Sequence, residues 1–291
     1  MGFTHIWVTK QPNNEEKPMD DEILTIFCIC DDLLKTLGYT DHPQAVMSNA
    51  EVMLVAIVAA RSFGGNIAAA CRWLNTSHWI PNMLRASRLN RRLHRIKDCF
   101  LTLFAIQSAT WKTQCVSQIF NVDTFPIPVC DNIRIKRCQI YQDEIFRGYK
   151  ASKRRYFYGL KLHLLVSQSG KPIEFFLTPG STSDTKGILG FDLNLPQGSI
   201  VIADKAYNIY WYEDLLAEYG IKLMPIRKKN SKRPHEPWER GLQWLNRQTI
   251  ETSGSLINQY LPSSIHAVTA EGFELKVVLF VLAFSLSFIF K

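Results

Sequence analysis

Three acidic residues have the types and positions that could hold divalent metal ions. Asp123 ends the apolar run 116–122, Asp204 ends the run 199–203, and Glu251 lies in a stretch with helical character. Strands that end side by side bring such acids to one edge of a sheet, where ligands collect. Carboxylate oxygens suit Mg²⁺, and two such ions about 3.5 to 4 Å apart can activate the attacking and leaving oxygens of a phosphodiester.

Each acid also has a purely structural interpretation, and the sequence leaves both open. Asp204 could cap a following helix, Asp123 could begin a turn, and Glu251 alone could be a solvated helix residue. Arg247 lies four residues before Glu251 on the same helical face and suits a phosphate or the carboxylate itself. Asp184 is a rival acid whose context also fits a helix cap.

The charge of the chain favours a polyanionic partner. The 291 residues carry a formal net charge of +8, with a pI of about 9.1. Residues 1–115 contain 12 Lys+Arg and 10 Asp+Glu, so 22 and 16 remain for residues 116–291. The positive excess therefore lies in the half that contains the three acids, which favours nucleic acid as the partner.

The seven cysteines do not form a recognisable disulfide or zinc pattern. They are odd in number, scattered and without a CxxC pair, which indicates reduced thiols in a cytoplasmic protein. Zinc held by Cys130, Cys138 and a histidine is a minor alternative with the wrong spacing for a finger. The apolar run 277–290 is shorter than the roughly 20 residues that span a bilayer, so we expect a buried helix and no membrane partner.

The apolar spacing divides the chain into two halves. A short segment 1–19 precedes a helical pattern over 20–114, for which we predict a domain that binds DNA ends. From 115 to 291 the pattern predicts a catalytic domain: three meandering strands, helix, strand, helix, strand and a last helix, with a basic insertion at about 126–155. This order predicts an α/β, ribonuclease-H-like mixed sheet of five strands with flanking helices.

Several cations are candidates for contact with DNA. One set lies on a basic helix of the first half, and a second lies in the basic tract 134–161, which also contains six aromatic residues. The remaining two lie close to the acids in sequence. Cations mixed with aromatic rings suit unpaired or distorted DNA by charge and stacking. The candidates are Arg88, Arg92, Arg95, Arg154, Arg155, Lys161, Lys205 and Arg247. His163 shares a strand face with Lys161. It either lies next to the acids and helps to position them, a role that Asp184 could also have, or is an ordinary buried histidine.

Six ordered segments resemble DDE transposases of bacterial insertion sequences, most closely the insertion-sequence 982 family. They are Asn-Val-Asp123-Thr-Phe-Pro, Tyr-Gly-Leu-Lys161-Leu-His163, Pro-Gly-Ser-Thr-Ser-Asp184, Ile-Ala-Asp204-Lys-Ala-Tyr207, Arg247-Gln-Thr-Ile-Glu251 and Ile-His266-Ala-Val-Thr-Ala-Glu-Gly-Phe-Glu-Leu-Lys276. The resemblance implies that Asp123, Asp204 and Glu251 are the catalytic, metal-binding triad. Related families place a Tyr before that Arg and a Lys after that Glu, where this chain has Trp244 and Asn258.

The resemblance also implies a function. We expect a transposase that binds the terminal inverted repeats of its element with the N-terminal helices and catalyses Mg²⁺-dependent cleavage and strand transfer, with Mn²⁺ as a substitute. Double-stranded DNA, as element end and as target, would be the partner, and the pairing of two ends implies a homodimer or higher assembly at the bacterial nucleoid. The alternatives are a structure-specific nuclease or resolvase on the same fold, and a catalytically silent derivative that only binds DNA.

Overall fold

The computed structural model describes residues 18–150, 153–262 and 265–290. Within the helix that spans 237–260, the side chains of residues 247–251, 253 and 254 lie outside this description. The predictions for the contacts of Arg247 and Glu251 therefore fall outside the described part of the chain.

The first half is helical, as predicted. Its helices are α1 (Pro18–Thr36), α2 (Asn49–Ser62), α3 (Ile67–Thr76), α4 (Ala86–Arg95) and α5 (Lys97–Thr113). Helix α2 begins at a capping box, in which Ser48 and Glu51 each accept a hydrogen bond from the other's backbone N–H. Ten of the 14 residues of α2 are buried, nine of them consecutive from Val52 to Ala60, so this helix forms the centre of the helical region and the others surround it.

The second half contains a six-stranded mixed sheet. Its strands are β1 (Ile119–Asp131), β2 (Arg147–Lys150), β3 (Arg155–Ser167), β4 (Pro172–Pro179), β5 (Ile200–Ala203) and β6 (Lys222–Pro225). Strand β3 pairs with β1 on one side and with both β2 and β4 on the other, and β5 and β6 extend the sheet in parallel beyond β1. The predicted fold class is confirmed, with β2 as a sixth strand built from the basic stretch.

Strand β1 is longer than predicted, and Asp123 lies inside it instead of at its end. The strand continues through Pro126 and Pro128 to Asp131, paired with β3. Its other neighbour, β5, pairs only as far as Asn121, so beyond that point β1 has an open edge. Proline lacks an N–H and is tolerated where the strand edge is open, so the prolines do not end this strand and Asp123 begins no turn.

Helices pack on both faces of the sheet. They are α6 (Asp184–Gly187), α7 (Tyr210–Glu218), α8 (Pro237–Tyr260) and α9 (Ala270–Leu286). Helix α9 is almost wholly buried and packs against α2, α5, α8 and β4, so one apolar core runs from the N-terminal helices across α9 to the sheet. A second core lies on the other face, beneath α7. The described helices include none that is singly long and apolar enough to cross a bilayer, and the pair α2 and α3 that would qualify together is bent by 111°.

Candidate active site

Asp123 lies in β1, and Asp204 directly follows the end of the neighbouring strand β5. Strands β1 and β5 run parallel, with Asn121 opposite Ile202. The pairing ends there, and continuing its register by two residues places Asp123 beside Asp204. The two acids that the sequence predicted to meet at one sheet edge are therefore neighbours.

The electrostatic surroundings of Asp123 agree with this placement. Burial raises the pKa of Asp123 to about 6, the Thr124 N–H lowers it in part, and the charges of Asp204 and Asp184 raise it further. That N–H donates to Asp123 Oδ1 at 2.7 Å. A half-buried carboxylate beside two others is unfavourable unless a cation lies nearby, so this site is suited to positive charge.

Asp204 does not act as a helix cap. It precedes a 3-10 turn, Lys205–Tyr207, and its side chain makes no capping hydrogen bond. Both Asp204 and Lys205 are exposed. The Asp204 carboxylate therefore does not cap a helix, and the adjacent cation, Lys205, is open to solvent.

A chain of buried hydrogen bonds joins the 3-10 turn to three strands. The Tyr207 hydroxyl lies 2.7 Å from Thr124 Oγ1, which lies 3.2 Å from His163 Nδ1. On the far side, His163 Nε2 lies 2.9 Å from Thr178 Oγ1. Since Thr124 follows Asp123 and Tyr207 closes the turn begun by Asp204, this relay fixes the two acid-bearing segments to each other.

His163 belongs to the relay and does not face the acids. It is fully buried, stacks on Phe176 with ring centroids 4.7 Å apart, and is covered by Gly187, where a Cβ would meet the imidazole at 2.0 Å. Burial lowers its pKa to about 4, the charge of Asp184 opposes that shift, and the charge of Lys161 adds to it. Because side chains alternate along β1, Thr124 and His163 lie on the face opposite Asp123. The neutral histidine is a structural hydrogen-bonding residue.

Lys161 is held inside the protein by Asp184. Its Nζ donates to the Thr182 carbonyl at 2.7 Å and to Asp184 Oδ1 at 3.0 Å. Asp184 is not the cap of α6, because Ser183 occupies that position and accepts from the Lys186 N–H. The lysine predicted to contact DNA thus stabilises the loop that holds Asp184 near Asp123.

The segment after Asp204 has a second anchor, built around Asn208. Its Nδ2 donates to the carbonyls of Lys205 and Ile226, at 2.9 and 2.8 Å. Arg227 donates to Asn208 Oδ1 at 3.0 Å and forms two bonds of 2.7 Å with Glu213. This largely buried ion pair connects α7 to the chain that leaves β6, so the turn after Asp204 is held from both sides.

The oxygen donors of this site fit a hard divalent cation. Asp123 and Asp204 supply carboxylates, while both ring nitrogens of His163 are engaged with threonine hydroxyls. Among the residues whose side chains are described, no group of three His, Cys, Asp or Glu is arranged to hold a metal. Helix α8 contacts β1, and position 251 lies on that helix with its side chain outside the described residues. The two described acids thus supply an oxygen-only part of a site.

The arginines of α4 border a groove of about 610 Å³ against the segment 39–49. Arg88 and Arg95 are exposed there, as is Arg91, which the sequence analysis did not single out. Arg92 instead donates to Met47 O, Asn49 Oδ1 and Asp41 Oδ1. Arg92 therefore connects α4 to the start of α2, and its neighbours form the solvent-facing cationic surface.

The cations of the basic stretch lie at the tip of the β2–β3 hairpin. Arg154 and Arg155 are exposed, and Arg155 forms a solvent-exposed ion pair with Asp131 at 3.3 Å. The two residues that carry the relay, Thr124 and Tyr207, were not among the predicted site residues. Both stand next to or shortly after an acid in the motifs, and only the three-dimensional pairing of β1 with the turn reveals their contact.

Comparison with known proteins identifies one matching family. Residues 112–261 match a family model described as "Transposase DDE domain". Curated protein sequences contain no match. A solved structure, the cryo-EM structure of a piggyBac transposase synaptic complex with hairpin DNA, is similar with a TM-score of 0.45 and 10% sequence identity, over 97% of this chain and 76% of that one.

Proposed function

From the premise that this chain belongs to the transposase DDE domain family, we propose that it cleaves the DNA ends of a mobile element and joins them to target DNA. The observation that carries the proposal is the closeness of Asp123 to Asp204, which follows from the parallel register of β1 and β5 and from the effect of the Asp204 charge on the pKa of Asp123. We propose Glu251, on the helix that contacts β1, as the third acid of a ribonuclease-H-like centre.

The three acids would hold divalent metal, with Mg²⁺ as the proposed ion and Mn²⁺ as a substitute. When bound, such ions activate the attacking oxygen and stabilise the leaving oxygen of an in-line displacement. Asp123 would lie between the other acids; burial is the main reason for its raised pKa, and the neighbouring carboxylates add to it. The relay through Tyr207 and Thr124 would keep the acids at a fixed separation, and Lys205 would contact a phosphate.

The exposed cations would hold the DNA. Arg88, Arg91 and Arg95 line the α4 groove, and we propose that they bind phosphates of the terminal inverted repeat. Arg154 and Arg155 would contact DNA from the hairpin, and Arg247 would contact it from α8. Arg92 and Lys161 would act indirectly, because their hydrogen bonds hold the groove and the Asp184 loop in shape.

We also propose the finer assignments that the sequence resemblance implies. The chain would consist of a segment 1–19, an end-binding domain 20–114 and a catalytic domain 115–291. It would belong to the bacterial insertion-sequence 982 family. It would assemble on DNA as a homodimer or higher oligomer and act in the cytoplasm at the nucleoid. A resolvase or a silent DNA-binding derivative remains the alternative, and each predicts a different outcome below.

The test uses DNA from either side of the coding region, which would contain the inverted repeats. We expect the protein to bind a repeat-containing duplex in EDTA and to nick it at the repeat terminus only when Mg²⁺ is added. Binding in EDTA without nicking in Mg²⁺ or Mn²⁺ would identify a silent derivative. Cleavage governed by branched DNA structure instead of repeat sequence would identify a resolvase.

The Tyr207 hydroxyl gives a sharper test of the relay. Replacing Tyr207 with Phe removes the 2.7 Å bond to Thr124 and loosens the turn after Asp204. We expect nicking to slow about tenfold, which corresponds to about 1.4 kcal/mol, and the Mg²⁺ concentration at half-maximal rate to rise, while repeat binding in EDTA stays unchanged.

Tyr212→Phe provides the matched control. Tyr212 is buried in the same core as Tyr207, but its hydroxyl makes only a 3.4 Å contact with the Ile188 carbonyl. We expect this variant to keep the wild-type Mg²⁺ requirement. Equal Mg²⁺ requirements in the two variants would show that the relay does not set the separation of the acids.

A further inference from the structure

Two tyrosines face each other on the β2–β3 hairpin. Tyr149 is directly opposite Tyr156, and their ring centroids are 5.0 Å apart. Tyr149 is 51% exposed and Tyr156 is 48% exposed, although both have large aromatic side chains. The Arg147 guanidinium lies 4.4 Å from the centre of the Tyr156 ring. The three groups form a contiguous stack in which the two rings are tilted by 54°. It ends in Tyr149, whose ring contacts only Tyr156 among the described aromatic residues.

The hairpin around this stack concentrates positive charge at a cost to its own stability. Lys150 is directly opposite Arg155, and like charges in such a cross-strand pair are destabilising. Lys153 and Arg154 follow in the tip, and Arg154 has a left-handed backbone with φ of 48°. Lys150, Lys153 and Arg154 form no ion pair with any residue that the structure describes. Burial and the charge of Lys153 lower the pKa of Lys150, so the cations act on one another.

The stack faces the same side of the sheet as Asp123. Tyr156 and Leu164 are eight residues apart on β3, so their side chains point to the same face, and Leu164 is opposite Asp123. At about 3.4 Å per residue the separation along the strand is about 27 Å. The residues between them on this face, which include Leu160 and Leu162, are buried in the apolar core, so the hairpin is a contact surface separate from the acids.

We propose that this hairpin binds a DNA strand at an unstacked base, and that this base packs on the exposed ring of Tyr149. Phosphates on either side of that base would contact Lys150, Lys153 and Arg154. This inference rests on the proposed function and adds the form of DNA that the hairpin selects. A paired base offers no free face to a tyrosine ring, whereas an unpaired base of any sequence does. An acidic protein would also match the charge of the cations, but it would not explain the exposed face of the Tyr149 ring.

The test compares a single-stranded oligonucleotide with the same sequence as a duplex, both titrated into the full-length protein by fluorescence anisotropy. We expect Tyr149→Ala to weaken binding of the single strand by about 5- to 150-fold, the range for the loss of one stacked base, and to change duplex binding less than about twofold. Tyr149→Phe keeps the ring and should restore single-strand binding. A 2-aminopurine base in the strand should be quenched by the wild type and much less by Tyr149→Ala.

Tyr219→Ala is the matched control, because Tyr219 is a 70% exposed tyrosine at the end of α7, away from this hairpin. It should bind both oligonucleotides like the wild type. Wild-type binding to duplex, with no loss of single-strand binding or quenching in Tyr149→Ala, would overturn the inference alone. An equal loss for duplex and single strand would overturn it too, in favour of a purely electrostatic contact. Absence of wild-type binding to either DNA would overturn the proposed function as well.

Discussion

Asp123→Asn and Asp204→Asn should each reduce metal-dependent nicking at the repeat terminus at least about a thousandfold, or about 4 kcal/mol of activation free energy. The amide keeps the size of the side chain but removes the negative charge that a divalent cation requires. Since Asp123 is inside β1 and Asp204 is exposed beyond β5, neither change opens a cavity. Repeat binding in EDTA should therefore stay within about twofold of wild type, because the phosphate-contacting cations are untouched.

Asp98→Asn is the control for the change in net charge. Asp98 is an exposed acid at the start of α5, and its side chain forms no ion pair with a described residue. We expect this variant to nick DNA at the wild-type rate. Robust nicking by either Asp123→Asn or Asp204→Asn, measured with the same duplex and Mg²⁺ concentration, would remove that residue from the proposed centre.

Glu213→Ala should lower the free energy of unfolding by about 3–5 kcal/mol, the usual range for removing one partner of a buried ion pair. Only 8% of the Glu213 side chain and 12% of the Arg227 side chain are exposed, and two bonds of 2.7 Å join them. Without Glu213 the Arg227 guanidinium would remain buried but would no longer have a carboxylate to balance its charge. Chemical denaturation followed by circular dichroism measures the loss directly.

The adjacent residue supplies the control for this second prediction. Asp214 pairs with Arg233 in solvent, and exposed pairs contribute little, so Asp214→Ala should unfold almost like the wild type. Replacing Glu213 and Arg227 together by Leu and Met should recover most of the lost stability, because the uncompensated charge is gone. Equal stability of the two single alanine variants would contradict the importance of the buried pair.

The sequence was sufficient for the order of strands and for the meeting of two acids. Apolar runs at strand spacing located β3, β4, β5 and β6 within a few residues. Asp123, in β1, and Asp204, directly after β5, are close together by the register of that parallel pair. These features follow from local patterns along the chain, in which hydrophobic period and the positions of polar residues carry the information. Glu251 remains a prediction from its motif.

Other features depend on partners far apart in the chain and could not be predicted. The extension of β1 through two prolines is possible because β5 is too short to cover that edge, and the length of β5 relative to β1 cannot be read from the sequence near the prolines. Lys161 and Arg92 were predicted to contact DNA, but they bond to Asp184 and Asp41, which are 23 and 51 residues away. The same holds for Tyr207, whose partner Thr124 is 83 residues away.

The most direct test of the central claim is the joining of a pre-cut repeat end, with a free 3′ hydroxyl, to a supercoiled target plasmid. We predict that the wild-type protein forms joined product with Mg²⁺ and none in EDTA, and that Asp204→Asn forms none although it binds the end. Joining by Asp204→Asn at a rate near wild type, or no joining by wild type that does nick the repeat terminus, would contradict the assignment of this site as a strand-transfer centre.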